Sequence, residues 1–510
     1  MSRRPVEIPP MDAHNARLVQ NVHPPDWTNP TPSGRYNLVV IGAGTAGLVC
    51  AAGAAGLGAK VALIERHLMG GDCLVTGCVP SKTLLHAARV AADLRKARGT
   101  EVAFTGDVNV DFTEVMTRVR AVRGAISQHD SAERFRKLGV DVFLGHAKFD
   151  SANTLDVEGT KLQFHRAVIA SGARASVPRI PGLAECGYLT NETVFNLTHL
   201  PPRMLVIGGG PIGCELAQAF QRLGSAVTLV EAGPQILPRE DADAATIVED
   251  ALRRDGVRIV YEATVERIEK GDAGSIAQVT GAAAQRAVES DAVLVCTGRV
   301  PNVEELGLDA AGVEFDPRSG VVVNDHLRTT NPRIFAAGDV CMQHKFTHAA
   351  DAAARIVIQN ALFGFLPKKR ASALTIPWCT YTDPEVAHVG LNERDAQRRN
   401  IDIDTIRVEM KQIDRAITDD ETAGLLKVHL ARGSDRIAGA TLVARGAGDI
   451  ISELTVAMTN NIGLGKLANV IHPYPTRAEI VKRAADQYNR TRITPRVRRI
   501  LEWILARQRK

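Results

Sequence analysis

The sequence predicts an α/β protein with two Rossmann-like dinucleotide-binding domains and a separate C-terminal α+β domain. Three observations predict it. Gly42-Ala43-Gly44-Thr45-Ala46-Gly47 stands between a short apolar strand and an Ala-rich helix. Gly208-Gly209-Gly210-Pro211-Ile212-Gly213 repeats that arrangement later in the chain. From Thr375 the texture changes to short strand-like runs followed by a helical pattern.

The bulk numbers bound the answer. The chain has 510 residues, 45% hydrophobic and 23% charged, which is a soluble globular composition for about three or four domains. No apolar run approaches a membrane-spanning length, and the arginines near the N-terminus precede no apolar signal segment. Eight cysteines are too few for a disulfide scaffold, so a reducing, cytoplasmic setting is expected. None form a CxxC pair, and no metal site is read. A net charge of +5 does not by itself suggest a nucleic-acid partner.

In chain order, residues 1–35 are proline-rich and aperiodic and read as a loosely ordered arm. Tyr36 to Ile41 is a strand, the glycine turn follows, and the strand Lys60 to Ile64 ends at Glu65. Glycines in that turn let backbone approach a pyrophosphate at a helix N-terminus, and the acid accepts from a ribose hydroxyl.

Gly70-Gly71-Asp72-Cys73-Leu74-Val75-Thr76-Gly77-Cys78-Val79-Pro80-Ser81-Lys82 comes next. Five helical positions rise about 7.5 Å, while a disulfide needs Cα atoms within roughly 7 Å. Cys73 and Cys78 therefore bond only across a deformed turn, which Gly70, Gly71 and Gly77 permit. A helix follows from Lys82 to Arg98, and its N-terminal dipole favours a thiolate. A redox-active dithiol is expected; the alternative is two core cysteines.

Val140 to Phe149 and Thr154 to Val157 read as a small antiparallel insertion. Arg166 to Ala173 is a buried strand whose Gly172 permits close approach to a cofactor, and Asp291 to Arg299 does the same with Gly298. The second module runs from the strand Met204 to Ile207 through its glycine turn to the strand Ala226 to Val230, ending at Glu231. Gly42 to Glu65 and Gly208 to Glu231 are both 23 positions. Two modules imply two dinucleotides, as in transfer from a nicotinamide to a flavin. Glu231 would repel a 2′-phosphate and no arginine follows closely, so NADH is favoured over NADPH.

A strand from Arg333 to Ala337 ends at Gly338-Asp339, and a helix starts near His348 and runs to Phe363. His348 reads as structural rather than catalytic. The C-terminal domain has strands at Val386 to Val389, Ile401 to Val408, Gly424 to Leu430 and Ile437 to Val443, then a helix at Gly448 to Asn460. In the tail, Val497, Ile500, Leu501, Ile504 and Leu505 recur at helical spacing among many arginines. It reads as a helix docked on the body or a second subunit, or as a basic helix making weak contact with an anionic membrane. No aromatic platform accompanies the charge, so nucleic acid is not expected.

Together these residues resemble the flavin-dependent pyridine nucleotide–disulfide oxidoreductases, which include dihydrolipoamide dehydrogenase, glutathione reductase and mercuric reductase. The resemblance covers about Tyr36 to Arg483 and is most specific in the run from Gly70 to Lys82. It implies a glutathione reductase-like fold: FAD-binding parts at 36–185 and 304–373, an NAD(P)-binding domain at 186–303, a dimerisation domain at 374–483, and a tail at 484–510. It implies that Gly42, Gly44, Gly47 and Glu65 hold the adenosine half of FAD, with Lys82, Ala147, Asp339 and Thr347 as further FAD contacts. Gly208, Gly210, Gly213, Glu231 and Gly298 match the NAD(P)H site. Lys82 and Glu215 match an ion pair beside the flavin. Cys73 would exchange with substrate and Cys78 would lie against the flavin, so electrons pass from NAD(P)H through FAD to the dithiol. The implied partner is a second copy, and the implied substrate a small disulfide or oxidant.

The family's proton-donating His–Glu pair belongs to an HxHPTxxE motif. This chain reads His472-Pro473-Tyr474-Pro475-Thr476-Arg477-Ala478-Glu479. Tyr474 replaces the catalytic histidine, Glu479 remains, and His472 matches the outer histidine. A tyrosine with a pKa of about 10 donates a proton or binds a soft metal but is a poor base at neutral pH. The substitution is similar to the mercuric reductase branch, without its C-terminal cysteine pair, since Cys379 is the last cysteine, and without its N-terminal CxxC module. A disulfide or a soft metal ion is therefore the expected acceptor. Dihydrolipoamide oxidation is the alternative, and a flavin-binding redox sensor or membrane-docked interaction protein is the alternative from another class.

Overall fold

The structure, a computed structural model, describes residues 6–98, 106–271, 274–281 and 286–509. The first five residues of the expected arm and Lys510 of the tail lie outside the described residues. The chain forms two compact units: Met1–Ala232 with Gly256–Leu374, and Gly233–Asp255 with Thr375–Lys510.

The first unit is organised on a seven-stranded sheet. Val140–Leu144, Val61–Glu65, Tyr36–Ile41 and Thr160–Ile169 lie side by side in parallel, with Val40 opposite both Leu63 and Val168. Ile334–Ala336 pairs in parallel with Thr160–Ile169. Leu38, Val39 and Val40 are all buried, as a parallel strand covered on both faces requires. Val140–Leu144 is thus the parallel edge strand, not part of an antiparallel insertion. Its run of branched residues looks alternating only because Asp141 is anchored by the Tyr36 hydroxyl at 2.7 Å. The antiparallel part is confined to Ala147–Ser151, Thr154–Val157 and Thr160–Ile169.

A second parallel sheet in the same unit orders Arg258–Val260, Ala226–Val230, Arg203–Ile207 and Ala292–Val295. The short strands Ala173–Ala175 and Arg299–Pro301 pair antiparallel. That pairing brings together the segments after the two buried strands, and Ser176 N–H donates to Gly298 O at 2.9 Å while Asn302 N–H donates to Gly172 O at 3.0 Å.

Residues 6–35 are not a loosely ordered arm. Ala13–Val22 is a helix capped by Asp12, which accepts from the His14 and Asn15 amides. Leu18, Val19 and Val22 are buried in the core beneath the first module. Trp27 Nε1 donates to Val142 O at 3.1 Å, so the segment after the helix is pinned to the edge strand. Proline content suggested disorder; the buried apolar triplet spaced along one helix face overrode it.

The second unit holds a five-stranded antiparallel sheet in the order Pro377–Thr380, Glu385–Gly390, Ile437–Ala444, Leu425–Ala431, Ile403–Glu409. The helices Ala447–Thr459 and Glu479–Thr491 pack apolar faces against its core. Residue 484 does not begin a tail, because Ala484 and Ala485 are buried with Ile480 and Val481 in that second helix. The tail proper is the helix Pro495–Gln508, where Pro495 at the first turn and Thr494 as the cap restart the helix.

Candidate active site

The two cysteines sit on consecutive helices, Gly71–Val75 and Cys78–Ala97. Cys78 is the first residue of the longer one, four positions earlier than the sequence suggested. Gly70 takes φ +92 and Gly71 φ +57, so the short helix opens through left-handed glycines. Arg123, almost fully buried, donates to Val75 O at 2.9 Å and to Asn15 Oδ1 at 3.0 Å. It satisfies the end of the dithiol-bearing helix and ties it to the N-terminal helix.

Both thiols are free, and they hydrogen-bond to each other. Cys78 is drawn down to about 6 by the hydrogen bond from Cys73, with Thr347 and the Lys82 ammonium acting in the same direction against burial. Its Sγ lies 3.4 Å from Thr347 Oγ1. Cys73 moves the opposite way, raised by that same hydrogen bond, then by burial, with the Asp130 carboxylate adding to it. Of the two, Cys78 is the one favoured as thiolate and Cys73 the one favoured as thiol.

Lys82 Nζ meets Glu215 Oε2 at 2.8 Å, and Glu215 is buried on the Pro211–Leu223 helix of the second module. Asp339 follows the strand Ile334–Ala336 and is raised by burial against the opposing pull of Arg299. His348 stacks on Phe346 with ring centroids 5.4 Å apart.

The two glycine turns are built alike. Gly42 and Gly208 take φ +99 and +108. A Cβ on Gly47 would lie 1.8 Å from Gly42 O, and one on Gly213 would lie 1.9 Å from Gly208 O. Glu65 Oε2 accepts from Ala43 N at 2.7 Å, and Glu231 Oε2 accepts from Gly209 N at 2.6 Å. Glu65 is raised by burial, and its other oxygen accepts from His67 N at 2.8 Å. Each acid thus braces its own turn before any ribose arrives. Ala147 is buried at the start of its strand. Open space surrounds the Cβ positions of Gly172, Gly210 and Gly298, cradles that backbone-hugging dinucleotides fit.

Two residues escaped the sequence reading. Arg299 donates to Ala173 O at 2.7 Å, pairs closely with Asp72, and has Nε 3.4 Å from Asp339 Oδ2. It neutralises two carboxylates around the dithiol helix. It directly follows Gly298, so the Thr-Gly-Arg strand ending carried its signal. Asp130 is raised by burial, and its Oδ2 lies 3.0 Å from where a Gly70 Cβ would stand. Nothing in its local sequence announced it.

In the second unit, His472 Nε2 lies 3.0 Å from Glu453 Oε2, not from Glu479. Tyr474 is 70% exposed, and its hydroxyl donates to Asp414 Oδ2 at 2.8 Å. That bond and the Asp414 charge raise it, so the phenol is held as a donor. Glu479 pairs with Arg483 at 3.4 Å, and its Oε2 is buried without a hydrogen-bond partner. Asp241, Glu393 and His429 present ligand atoms within 4.8 Å of one another, but Lys427 Nζ already sits 2.8 Å from both carboxylates. The chain supplies that cluster's cation itself.

Residues 36–354 match the family described as pyridine nucleotide-disulphide oxidoreductase, and residues 376–485 match its dimerisation domain. The chain belongs to the pyridine nucleotide-disulphide oxidoreductases. The family is FAD-dependent and uses NAD(P)H. A mercuric reductase from Lysinibacillus sphaericus is 36% identical over 89% of this chain and 83% of its own length. A dihydrolipoyl dehydrogenase from Chlamydia trachomatis is 34% identical over 87% and 95%. Among solved structures, the HOCl-induced flavoprotein disulfide reductase RclA from Escherichia coli superposes with a TM-score of 0.77 at 30% identity, covering 88% of this chain and 99% of that one. Its Cu(II) complex gives 0.78 at 29% identity, over 89% and 100%. The α/β fold with a C-terminal dimerisation domain is therefore the family's, as the sequence implied. Among the described residues, no helix is long and apolar enough to cross a membrane.

Proposed function

We propose that this chain is an NAD(P)H oxidoreductase, NADH favoured, that passes electrons through Cys73 and Cys78 to a thiophilic acceptor: a small disulfide or a soft metal ion. The observation that carries the reading is the placement of the two cysteines on consecutive helices, with Cys78 in the first turn of Cys78–Ala97, its Sγ 3.4 Å from Thr347 Oγ1, and Lys82 one turn on; these neighbours favour a thiolate on Cys78. FAD, held by Gly42, Gly44, Gly47 and Glu65, would supply a two-electron relay between NAD(P)H and the cysteines.

The chain's own residues do the rest. Lys82 and Thr347 stabilise the Cys78 thiolate. Cys73 attacks the acceptor as its proton leaves. With a disulfide, one S–S bond breaks and two thiols form, so NADH, a proton and RSSR become NAD⁺ and two RSH. The Asp130 carboxylate acts on Cys73 through its charge, and burial raises its own carboxyl, so we assign it the proton that Cys73 gives up. Glu65 and Glu231 orient the two dinucleotides, with Gly42, Gly44, Gly47 and Gly172 on one and Gly208, Gly210, Gly213 and Gly298 on the other. Asp339 and Ala147 complete the FAD side. The dimerisation domain supports a homodimer, in which Tyr474 donates rather than accepts a proton. Dihydrolipoamide oxidation needs a base there, which disfavours it. Relatives named for mercury and a neighbour solved with Cu(II) support the soft-metal arm.

The test is two-electron reduction of the holoenzyme, then an acceptor screen with NADH and NADPH. The wild type should develop a long-wavelength thiolate–flavin band. Cys78→Ser should lose it, and Cys73→Ser should keep it while losing acceptor turnover. A band that survives in Cys78→Ser overturns the assignment. Robust dihydrolipoamide turnover with NAD⁺ overturns the role given to Tyr474.

A further inference from the structure

The helix Pro495–Gln508 buries none of its residues. It contrasts with the helix just before it, where Ile480, Val481, Ala484 and Ala485 are buried. Val497, Ile500, Leu501, Ile504 and Leu505 are 39% to 58% exposed, and Trp503 is 55% exposed. At 3.6 residues per turn the five aliphatic side chains fall within an arc of about 140°, and Trp503 extends one edge of it. Arg496, Arg498, Arg499, Arg507 and Arg509 flank or oppose that arc, with Glu502 as the only acid. Glu502 is itself paired with Arg498 at 3.1 Å. The Arg507 guanidinium lies 3.7 Å over the Trp503 ring, which keeps a cation at the boundary of the apolar face.

Whatever covers this face must accept aliphatic side chains and negative charge at once. A second copy of the same helix brings like charges together, so it is a poor complement. An anionic bilayer meets both needs: acyl chains for the arc, phosphate headgroups for the arginines, and an interfacial depth for the indole. We propose that Pro495–Gln508 lies in the plane of an anionic lipid surface and anchors the protein there peripherally. One such helix binds weakly. A homodimer presents two, and engagement of the second is intramolecular.

The experiment is flotation of the full-length holoenzyme with phosphatidylcholine vesicles, with and without phosphatidylserine. The wild type should float only with the anionic vesicles, and salt should release it. Replacing the flanking Arg496, Arg498 and Arg507 by Gln should weaken binding roughly a hundredfold, from three lost cation–headgroup contacts. Ile504→Asp should abolish flotation and leave NADH oxidation unchanged. No flotation of the wild type, equal flotation of Ile504→Asp, or a wild-type mass in light scattering that falls in Ile504→Asp would each overturn the proposal, the last by showing that a second copy covers the face.

Discussion

The two dinucleotide modules share one design and diverge just beyond it. In both, a glycine with positive φ opens the turn, a second glycine leaves no room for a Cβ, and an acid 23 positions on braces the turn from below. In the first module, the chain after Glu65 folds back over its own turn: a Cβ on Gly71 would lie 2.8 Å from Gly44 Cα. In the second, nothing lies within 4 Å of the Cβ position on Gly210. After Glu231 the chain departs instead, and Gly233–Asp255 belongs to the other compact unit. The first turn is roofed by the helix that carries Cys73, and the second is open. This difference suits a flavin that stays and a nicotinamide that comes and goes.

Gly71→Ala breaks the comparison hardest. The new Cβ meets Gly44 backbone and the residue must hold φ +57, which together cost about 2–4 kcal/mol. The purified variant should lose most of its flavin, measured as the ratio of flavin to protein absorbance. Gly210→Ala should keep full flavin content and raise KM for NADH by about tenfold, because the methyl group takes the space a pyrophosphate approaches. Equal flavin loss in both variants would show that the roof over the first turn does not matter.

The same contrast explains what could be read without a structure. Glycine spacing and the terminal acids are local, so both modules, Glu65 and Glu231 included, were legible from period and position. Cys73 and Cys78 were legible because turn glycines and a helix start stood beside them. Asp130 was not, since a burial 57 positions away from Cys73 leaves no local mark. The N-terminal helix was misread because prolines flank it closely and its buried face carries just three apolar residues, Leu18, Val19 and Val22, beside the polar Asn15. The pairing of His472 with Glu453 could not be inferred from a motif whose own acid, Glu479, turns to Arg483.

The modules touch through an aromatic pair, Phe112 and Phe220 with ring centroids 6.0 Å apart, and through a charged one. Lys82 on the dithiol helix meets buried Glu215 on the second module's helix. Lys82→Met removes this ammonium from buried Glu215 and should cost about 2 kcal/mol, less than a fully buried pair because Lys82 is partly exposed. It also removes a charge that lowers Cys78, so the thiolate should form at a pH above the native value of about 6. Glu215→Gln removes a charge that raises Cys78, and its midpoint should fall below the native one. A pH titration of the reduced enzyme's long-wavelength band reads both. Midpoints that move together would show that the pair acts by packing and not by its field.

The smallest effect tests what the second module's departing segment does. Glu240 is buried, Trp378 Nε1 donates to its Oε1 at 2.6 Å, and its Oε2 has no hydrogen-bond partner. Burial pushes this carboxyl up to about 7 from 4.5. The folded state therefore binds more protons than the unfolded one between those values, and stability falls as pH rises through that window. The loss is on the order of 3 kcal/mol above pH 7. Nearby His388, its ring tilted against Trp378 with centroids 4.3 Å apart, is lowered to about 4 by burial from 6.5, so the penalty for leaving it uncharged disappears as pH rises through that window, which masks the trend in the wild type. Asp241, lowered by its hydrogen bonds to His429 and Lys427 against burial, acts only below its ordinary value and does not interfere. Glu240→Gln keeps an acceptor for Trp378 and removes the titration. Its melting temperature should exceed the wild type's by a few degrees at pH 8, with the gap closing toward pH 4.5. A gap that is constant with pH would mean that Glu240 is not charged against a penalty, and that the segment is held by its packing alone.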